Sequence, residues 1–458
     1  MATFDIINPA TSAVLDRAPD ADVNDAQQAI DRSVTAFASW RAKTAFERSD
    51  ILRKWRDAIV NDEVVIARLM TQEMGKPITE SRGEVKYSAG FVEWYAEEAK
   101  RAYGEIAPSH AAHKRLLISK QPVGPVYAVT PWNFPAAMVT RKVAPALAAG
   151  CSVVLKPAEQ SPLTAIRLGD LWVQAGGPAD VFQVLTTANP AAVSEAFFAD
   201  ARVRKLTFTG STEVGIKLYE KAARTVKRVS LELGGHAPFI VFDDADLTVA
   251  IQQVMASKFR NTGQTCVCAN RIYVHDRVRE SFSNQLAAAV EKLRVGDPMH
   301  DTTQVGPLVD KQGFEKVASH VDDAVRKGAR AMVGGNKRDG LYFDPTVLVN
   351  VERGMKILEE ETFGPIAPLV SFTDEADVVR AANATPFGLA AYVCTRDLGR
   401  AFRVAEALEY GIVGVNDGLP AVPHAPFGGV KFSGIGREGG PWGLDEFLDV
   451  KYVSIALP

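Results

Sequence analysis

At 458 residues, with hydrophobic side chains at 47% and charged ones at 23%, the chain has the composition of a globular protein of about two to four domains with material for a large core. Fifty-two Lys and Arg against 55 Asp and Glu leave a net charge of −3, which excludes the strong basic field that nucleic acid or an acidic membrane surface requires. Four Cys exclude a disulfide framework and suit a reducing, cytoplasmic setting, residues 1–9 carry no secretory pattern, and the apolar stretch 143–155 is too short to span a bilayer.

The first hundred residues are helical in pattern. Asp22 is placed to cap a helix with Val23, Ile30, Val34 and Phe37 on one face. Phe46, Leu52, Trp55 and Ile59 form a second stripe, and a third helix is predicted over 83–102, ending before Gly104. These stripes read as core packing. From residue 116 the texture changes, with strands predicted at 116–120 and 126–129 around Pro122, Gly124 and Pro125. Further strands at 152–155, 181–185, 205–209 and 228–233 alternate with helix-length segments, the pattern of a doubly wound parallel α/β sheet. A second βα series follows Pro238, with strands at 239–242, 272–274, 346–348 and 389–393. Residues 411–443, dense in Gly and Pro, are predicted to form a long ordered loop system.

Five segments carry candidate chemistry. Asn261-Thr262-Gly263-Gln264-Thr265-Cys266-Val267-Cys268 presents two thiols in a polar, Gly-containing loop, where either could be a nucleophile or a buried core residue. No Cys or His spacing suits zinc, so no metal is expected. Glu232 ends an apolar strand ahead of Gly234 and Gly235, and burial there would raise its pKa toward general-base range. Gly210-Ser211-Thr212 lies between a strand and a helix, a turn whose free amides suit phosphate but which also occurs without a ligand. Asn133, held between Pro131 and Pro135 beside Trp132, offers an amide to an oxyanion. Lys156 and Glu159 at another strand end read either as a surface ion pair or as a cofactor contact.

The chain order Asn133, Lys156, Gly210 to Gly215, Glu232, Cys266 resembles the aldehyde dehydrogenase superfamily, as do Glu360-Glu361-Thr362-Phe363-Gly364-Pro365 and Pro426-Phe427-Gly428-Gly429 with Ser433-Gly434. The resemblance runs from Asn8-Pro9 to Lys451-Tyr452. It implies that Cys266 is the nucleophile, that Asn133 and the Cys266 amide hold the oxyanion, and that Glu232 activates the water that hydrolyses a thioester, which argues against coenzyme A as acceptor. It implies that Trp132, Lys156, Glu159, Gly210, Ser211, Glu361 and Phe363 bind the dinucleotide. Because a carboxylate repels a 2′-phosphate, Glu159 predicts NAD in preference to NADP, with NADP left open.

The segments 131–142 and 258–268 are similar to the succinate-semialdehyde dehydrogenase branch, in which Arg141 and Arg260 would bind a distal carboxylate; structural ion pairs are the alternative. Relatives usually supply a Ser from the loop before Pro-Phe-Gly-Gly, whereas this chain reads Gly418-Leu419-Pro420-Ala421-Val422-Pro423-His424, which leaves glutarate semialdehyde or another acidic aldehyde open. Cys268 is a redox candidate that could pair with Cys266, or a packing residue. The implied architecture is a Rossmann-like cofactor domain over 1–108 and 126–233, a catalytic domain over 234–433, and a β arm over 109–125 and 434–458 that assembles a homodimer or homotetramer. A non-catalytic scaffold would be expected to lack Cys266, Glu232 or Asn133, and a cofactor-free thiol esterase would not need Lys156, Glu159 and Glu361.

Overall fold

The computed structural model describes residues 2–458; Met1, the first residue of the expected cofactor segment, lies outside them. Three sheets carry the α/β architecture. The first sheet, in the segment expected to hold the cofactor, runs in the order 434–435, 228–232, 205–209, 126–129, 153–156, 182–184, all parallel except the two-residue first strand. Its central strands Val126–Val129, Val153–Lys156 and Lys205–Thr209 are buried throughout, as strands covered by helices on both faces must be. The chain steps outward from 126–129 through 153–156 to 182–184, then returns to lay 205–209 and 228–232 on the other side. The strand order therefore reverses between Val126–Val129 and Lys205–Thr209, and a crevice opens at the carboxyl ends there.

The second sheet has seven strands in the order 330–333, 346–349, 366–372, 269–275, 237–241, 390–394, 412–415, parallel but for the first. The strands 330–333, 366–372 and 412–415 are absent from the sequence reading, and 412–415 lies inside the stretch expected to be loop. The helix Ile78–Glu98 starts five residues before the predicted 83, and Glu63–Met74, not predicted, precedes it. Asp22 caps Val23–Ala42 through a reciprocal box with Asp25. Trp40, Trp55 and Trp172 are fully buried, with the Trp172 ring meeting the other two edge-on at 5.7 and 5.6 Å. Such contacts add about 0.5–1.5 kcal/mol each beyond buried area.

The third sheet joins 448–456 to 114–122 and 114–122 to 105–107, all antiparallel. Two boundaries of the expected arm move. Glu105–Ala107 belongs to its sheet although it precedes residue 109, while Gly434–Ile435 pairs with Leu231 and Glu232 in the first sheet. The long strand Leu448–Ala456 is exposed beyond its first residue. Residues 143–155 divide between the end of the helix Ala137–Ala149, the left-handed Gly150 and a strand, and among the described residues no helix is long and apolar enough to cross a membrane.

Candidate active site

The crevice at the strand reversal is a cleft of about 790 Å³. Its walls include Trp132, Asn133, Lys156, Glu159, Gly210, Ser211, Glu232, Cys266, Glu361 and Phe363, so the expected catalytic and cofactor residues line one space. Strand ends supply most of them. Trp132 and Asn133 follow Val126–Val129, Lys156 ends Val153–Lys156, Gly210 follows Lys205–Thr209, and Glu232 ends Arg228–Glu232.

At the outer end of the cleft, the buried Lys156 ammonium pairs with the half-buried Glu159 carboxylate, and burial holds the Lys156 pKa below its usual value. Ser211 caps the helix Thr212–Ala223, accepting from the Val214 amide at 3.3 Å, so the first turn of that helix faces the cleft edge. The Phe363 ring meets the Trp132 ring edge-on at 5.5 Å, and Phe363 adopts φ +57°. Glu361 accepts from the Gly235 amide at 3.1 Å, and burial raises its pKa to about 7. An amide-rich turn, a carboxylate with a free oxygen beside it and a carboxylate–ammonium pair at the far end fit the phosphates and two ribose diols of a dinucleotide.

At the inner end, the cysteine loop takes an unusual path. Asn261, Thr262 and Gly263 stand in succession at φ +51°, +57° and +74°. A β-branched residue there costs about 1–3 kcal/mol of strain, which the loop's buried hydrogen bonds must offset. Gly263 has no alternative, because a Cβ would lie 2.1 Å from the Gly364 carbonyl, where this loop abuts the segment carrying Glu361 and Phe363. Gly235 allows a second approach, since a Cβ there would sit 2.5 Å from the Cys266 carbonyl. The Glu232 strand end and Cys266 are thereby brought together.

Cys266 is 9% exposed, and burial together with the neighbouring Glu232 pushes its thiol well above the usual range. Glu232 is 2% exposed, and neither carboxylate oxygen has an ordinary hydrogen-bond partner. Burial raises the Glu232 pKa, and the Arg141 guanidinium 3.7 Å away opposes the rise. The Asn133 side-chain amide donates to the Gln264 carbonyl at 3.1 Å, two residues before Cys266. A thiol, a buried carboxylate with no hydrogen-bond partner and an amide donor in one cleft are the parts of a nucleophilic reaction in which a proton leaves the sulfur.

The structure separates the two arginines. Arg141, only 2% exposed, is engaged: its Nε lies 2.5 Å from Glu438, and its guanidinium stacks over Phe427 at 4.1 Å. Lys142 pairs with the other Glu438 oxygen. Arg141 thus makes the ion pair that stood as its alternative reading. Arg260 is half-buried over the Phe134 ring at 5.3 Å, and among the described residues no carboxylate oxygen lies within 4 Å of it. Tyr87 stands close to Arg141, Arg260 and Cys266. His424 is exposed beside Trp94. All four cysteines are free and buried, and the Cys268 thiol donates to the Lys258 carbonyl at 3.5 Å.

Sequence reasoning missed Glu438, Lys142, Tyr87 and the role of Ser433, which accepts from the Gly388 amide at 2.9 Å and donates to the Gly234 carbonyl at 2.7 Å. The Ser433-Gly434 pair was visible as a motif, but its purpose, fastening the loop after Glu232, was not. For Glu438, the only available signal was a carboxylate within a Gly-rich stretch.

The aldehyde dehydrogenase family pattern matches residues 1–453. The chain is 53% identical to a succinate-semialdehyde dehydrogenase [NADP(+)] of Escherichia coli, covering 99% of this chain and 94% of that protein. It is 51% identical to a glutarate-semialdehyde dehydrogenase of Pseudomonas putida, over 99% and 95%. The crystal structure of an NADP-dependent enzyme of E. coli superposes with a TM-score of 0.98 at 52% identity, covering 100% of this chain and 95% of that one. The family pattern, the sequence identities and the fold agree along nearly the whole length, and the chain belongs to the aldehyde dehydrogenase family.

Proposed function

We propose that this enzyme oxidises an aldehyde bearing a distal acidic group, succinate semialdehyde first among them, to the acid, with NAD preferred over NADP. The observation that carries the reading is the meeting of Cys266, Glu232 and Asn133 in the cleft that Lys156, Glu159, Ser211, Glu361 and Phe363 also line. Glutarate semialdehyde is the second reading, favoured by the P. putida relative and by a loop that offers His424 in place of Ser.

The reaction begins at a buried sulfur whose thiol pKa is held above its usual range by burial and the neighbouring Glu232. Glu232, with two unpaired oxygens close by, accepts the thiol proton as the sulfur attacks the aldehyde carbon. The resulting thiohemiacetal oxygen is held by the Asn133 amide and the Cys266 backbone N–H, donors that gain strength in a buried site. When bound, the nicotinamide dinucleotide supplies the hydride acceptor. Once Glu232 has passed the thiol proton to solvent, it deprotonates the water that attacks the thioester left on Cys266; the C–S bond breaks, the sulfur departs and takes back a proton from Glu232, and the acid leaves. Arg260, with no carboxylate partner within 4 Å, is the main contact for the distal acidic group, and Arg141 adds its field from behind Glu232.

Glu159 sets the dinucleotide preference: its carboxylate accepts from ribose hydroxyls and repels a 2′-phosphate, although the E. coli relative carries NADP(+) in its name. The exposed strand Leu448–Ala456 supports assembly into a homodimer or homotetramer through the arm. The deciding experiment is a kinetic panel of succinate semialdehyde, glutarate semialdehyde and an uncharged aldehyde with NAD and NADP. It is paired with intact-mass detection of an adduct at Cys266 during turnover. Higher kcat/KM with NADP overturns the role of Glu159, equal values for charged and uncharged aldehydes overturn that of Arg260, and absence of an adduct overturns the mechanism.

A further inference from the structure

A buried ion pair outside the reacting residues grips the Asn133 segment at both ends. Lys76 lies just ahead of the helix Ile78–Glu98, and Glu84 stands on that helix; both are buried. The Lys76 ammonium pairs with one Glu84 oxygen and donates to the Asn133 carbonyl at 2.8 Å, lying 3.8 Å above the Phe134 ring centre. The other Glu84 oxygen accepts from the Ala136 and Ala137 amides at 2.9 and 3.1 Å, where the helix Ala137–Ala149 begins. A second donor, the Asn261 side-chain amide, reaches the same Asn133 carbonyl at 3.0 Å and also the Gln264 carbonyl at 3.1 Å. That Gln264 carbonyl is the one the Asn133 amide faces.

Stability alone does not account for the pair. An apolar pair of equal volume is often as stable as a buried ion pair, or more so. What an apolar pair cannot do is satisfy the two amides at positions 136 and 137, which must find partners when buried, or give the Asn133 carbonyl a charged donor beside the Asn261 amide. The pair therefore fixes where residues 133–137 run, and with them the direction of the Asn133 side chain. Placement at this level has large kinetic weight, since a shift of about 1 Å in a reacting group can cost on the order of 10²-fold in rate.

We propose that Lys76 and Glu84 are positioning residues for the oxidation, acting on the oxyanion through Asn133 by holding its backbone against the cysteine loop. The inference rests on Asn133 being an oxyanion donor, and the experiment separates the two. It is a double-mutant cycle on the full enzyme with Lys76→Met, Asn133→Ala and the combined variant, reading kcat and both KM values together with the melting temperature. Lys76→Met is expected to lower kcat about 10- to 100-fold with both KM values within twofold of wild type. Added to Asn133→Ala, it is expected to change kcat less than twofold, because the donor it positions is gone. Losses that multiply in the combined variant, or an unchanged kcat in Lys76→Met, overturn the positioning role while leaving Asn133 in place. An Asn133→Ala enzyme with wild-type kcat overturns the oxyanion reading itself, and this inference with it. Where Lys76→Met fails to fold, Glu84→Asp is read in the same cycle: it keeps the charge pair but withdraws from the Ala136 and Ala137 amides, and the same two results decide.

Discussion

The two ends of the cleft are built differently. At the cofactor end each group sits within a few residues of a strand terminus: Trp132 after Val126–Val129, Lys156 at the end of Val153–Lys156, Gly210 and Ser211 after Lys205–Thr209. Behind Glu232 the charges come together from far apart in the chain, with Arg141 and Lys142 from one helix meeting Glu438 almost 300 positions later and Phe427 stacked beneath. Strand ends deliver the groups that line the outer cleft. Long-range ion pairs set the electrical environment of Glu232 and Cys266. The first kind of site is expected to tolerate a local change, whereas the second is expected to change as a unit.

Glu438→Gln tests the unit most severely. It leaves Arg141 and Lys142 buried with their common carboxylate gone, and removing one member of a buried ion pair costs about 3–5 kcal/mol, measurable by denaturant unfolding. It also moves the base. Burial and the negative Glu438 both hold the Glu232 pKa up, while Arg141 draws it down. Without Glu438 the Arg141 charge acts unopposed, so the Glu232 pKa falls and the acidic limb of the kcat–pH profile shifts to lower pH. A limb that stays in place, with stability lost, would show that Glu438 serves folding and not the base. Arg260→Met sharpens the other half of the contrast, since Arg260 is not part of that cluster. A charge-assisted hydrogen bond of about 1.5–3 kcal/mol predicts a 10- to 100-fold drop in kcat/KM for succinate semialdehyde and none for an uncharged aldehyde of equal length. A drop common to both aldehydes would assign Arg260 to the architecture.

The same contrast explains what was legible in the sequence. The strands Val126–Val129, Val153–Lys156 and Lys205–Thr209 were readable because parallel strands buried on both faces are short apolar runs between turn residues, and their terminal polar residues stand out. The strands at 330–333 and 412–415 were not: both are four residues long and lie at the sheet edges, Arg330-Ala331-Met332-Val333 shows no clean alternation, and the apolar run Ile412-Val413-Gly414-Val415 sits in a stretch whose Gly and Pro content reads as loop. Asn133, Glu232 and Cys266 were found through their neighbours in the chain. Glu438 and Glu84 were not, because their partners, Arg141 and Lys142 for one and Lys76 with the 136–137 amides for the other, are set by tertiary packing. Arg141 shows the converse risk: its motif was plain, but the charge that engages it was 297 positions away.

The smallest expected effect is at Glu361, and it tests whether the cofactor end is as self-contained as its sequence suggests. Glu361 has one oxygen on the Gly235 amide, lies on the cleft wall, and titrates at about 7 because burial disfavours its charge. Ribose hydroxyls donate to a carboxylate more strongly than to a protonated carboxyl, so binding favours the ionised form. Dinucleotide affinity should therefore be highest above pH 7 and weaken as the pH falls through it, by at most about tenfold per unit. Quenching of Trp132, whose ring meets Phe363, provides the titration signal. Glu361→Gln removes the charge, so its Kd should be flat from pH 6 to 8, near the wild-type value at the acidic end. Glu232 is among the groups that raise the Glu361 pKa, so the two ends of the cleft meet at this carboxylate. If Glu232→Gln moves the midpoint of the binding profile to lower pH, the chemistry of the buried base reaches the cofactor pocket; an unmoved midpoint makes the pocket electrically independent of it.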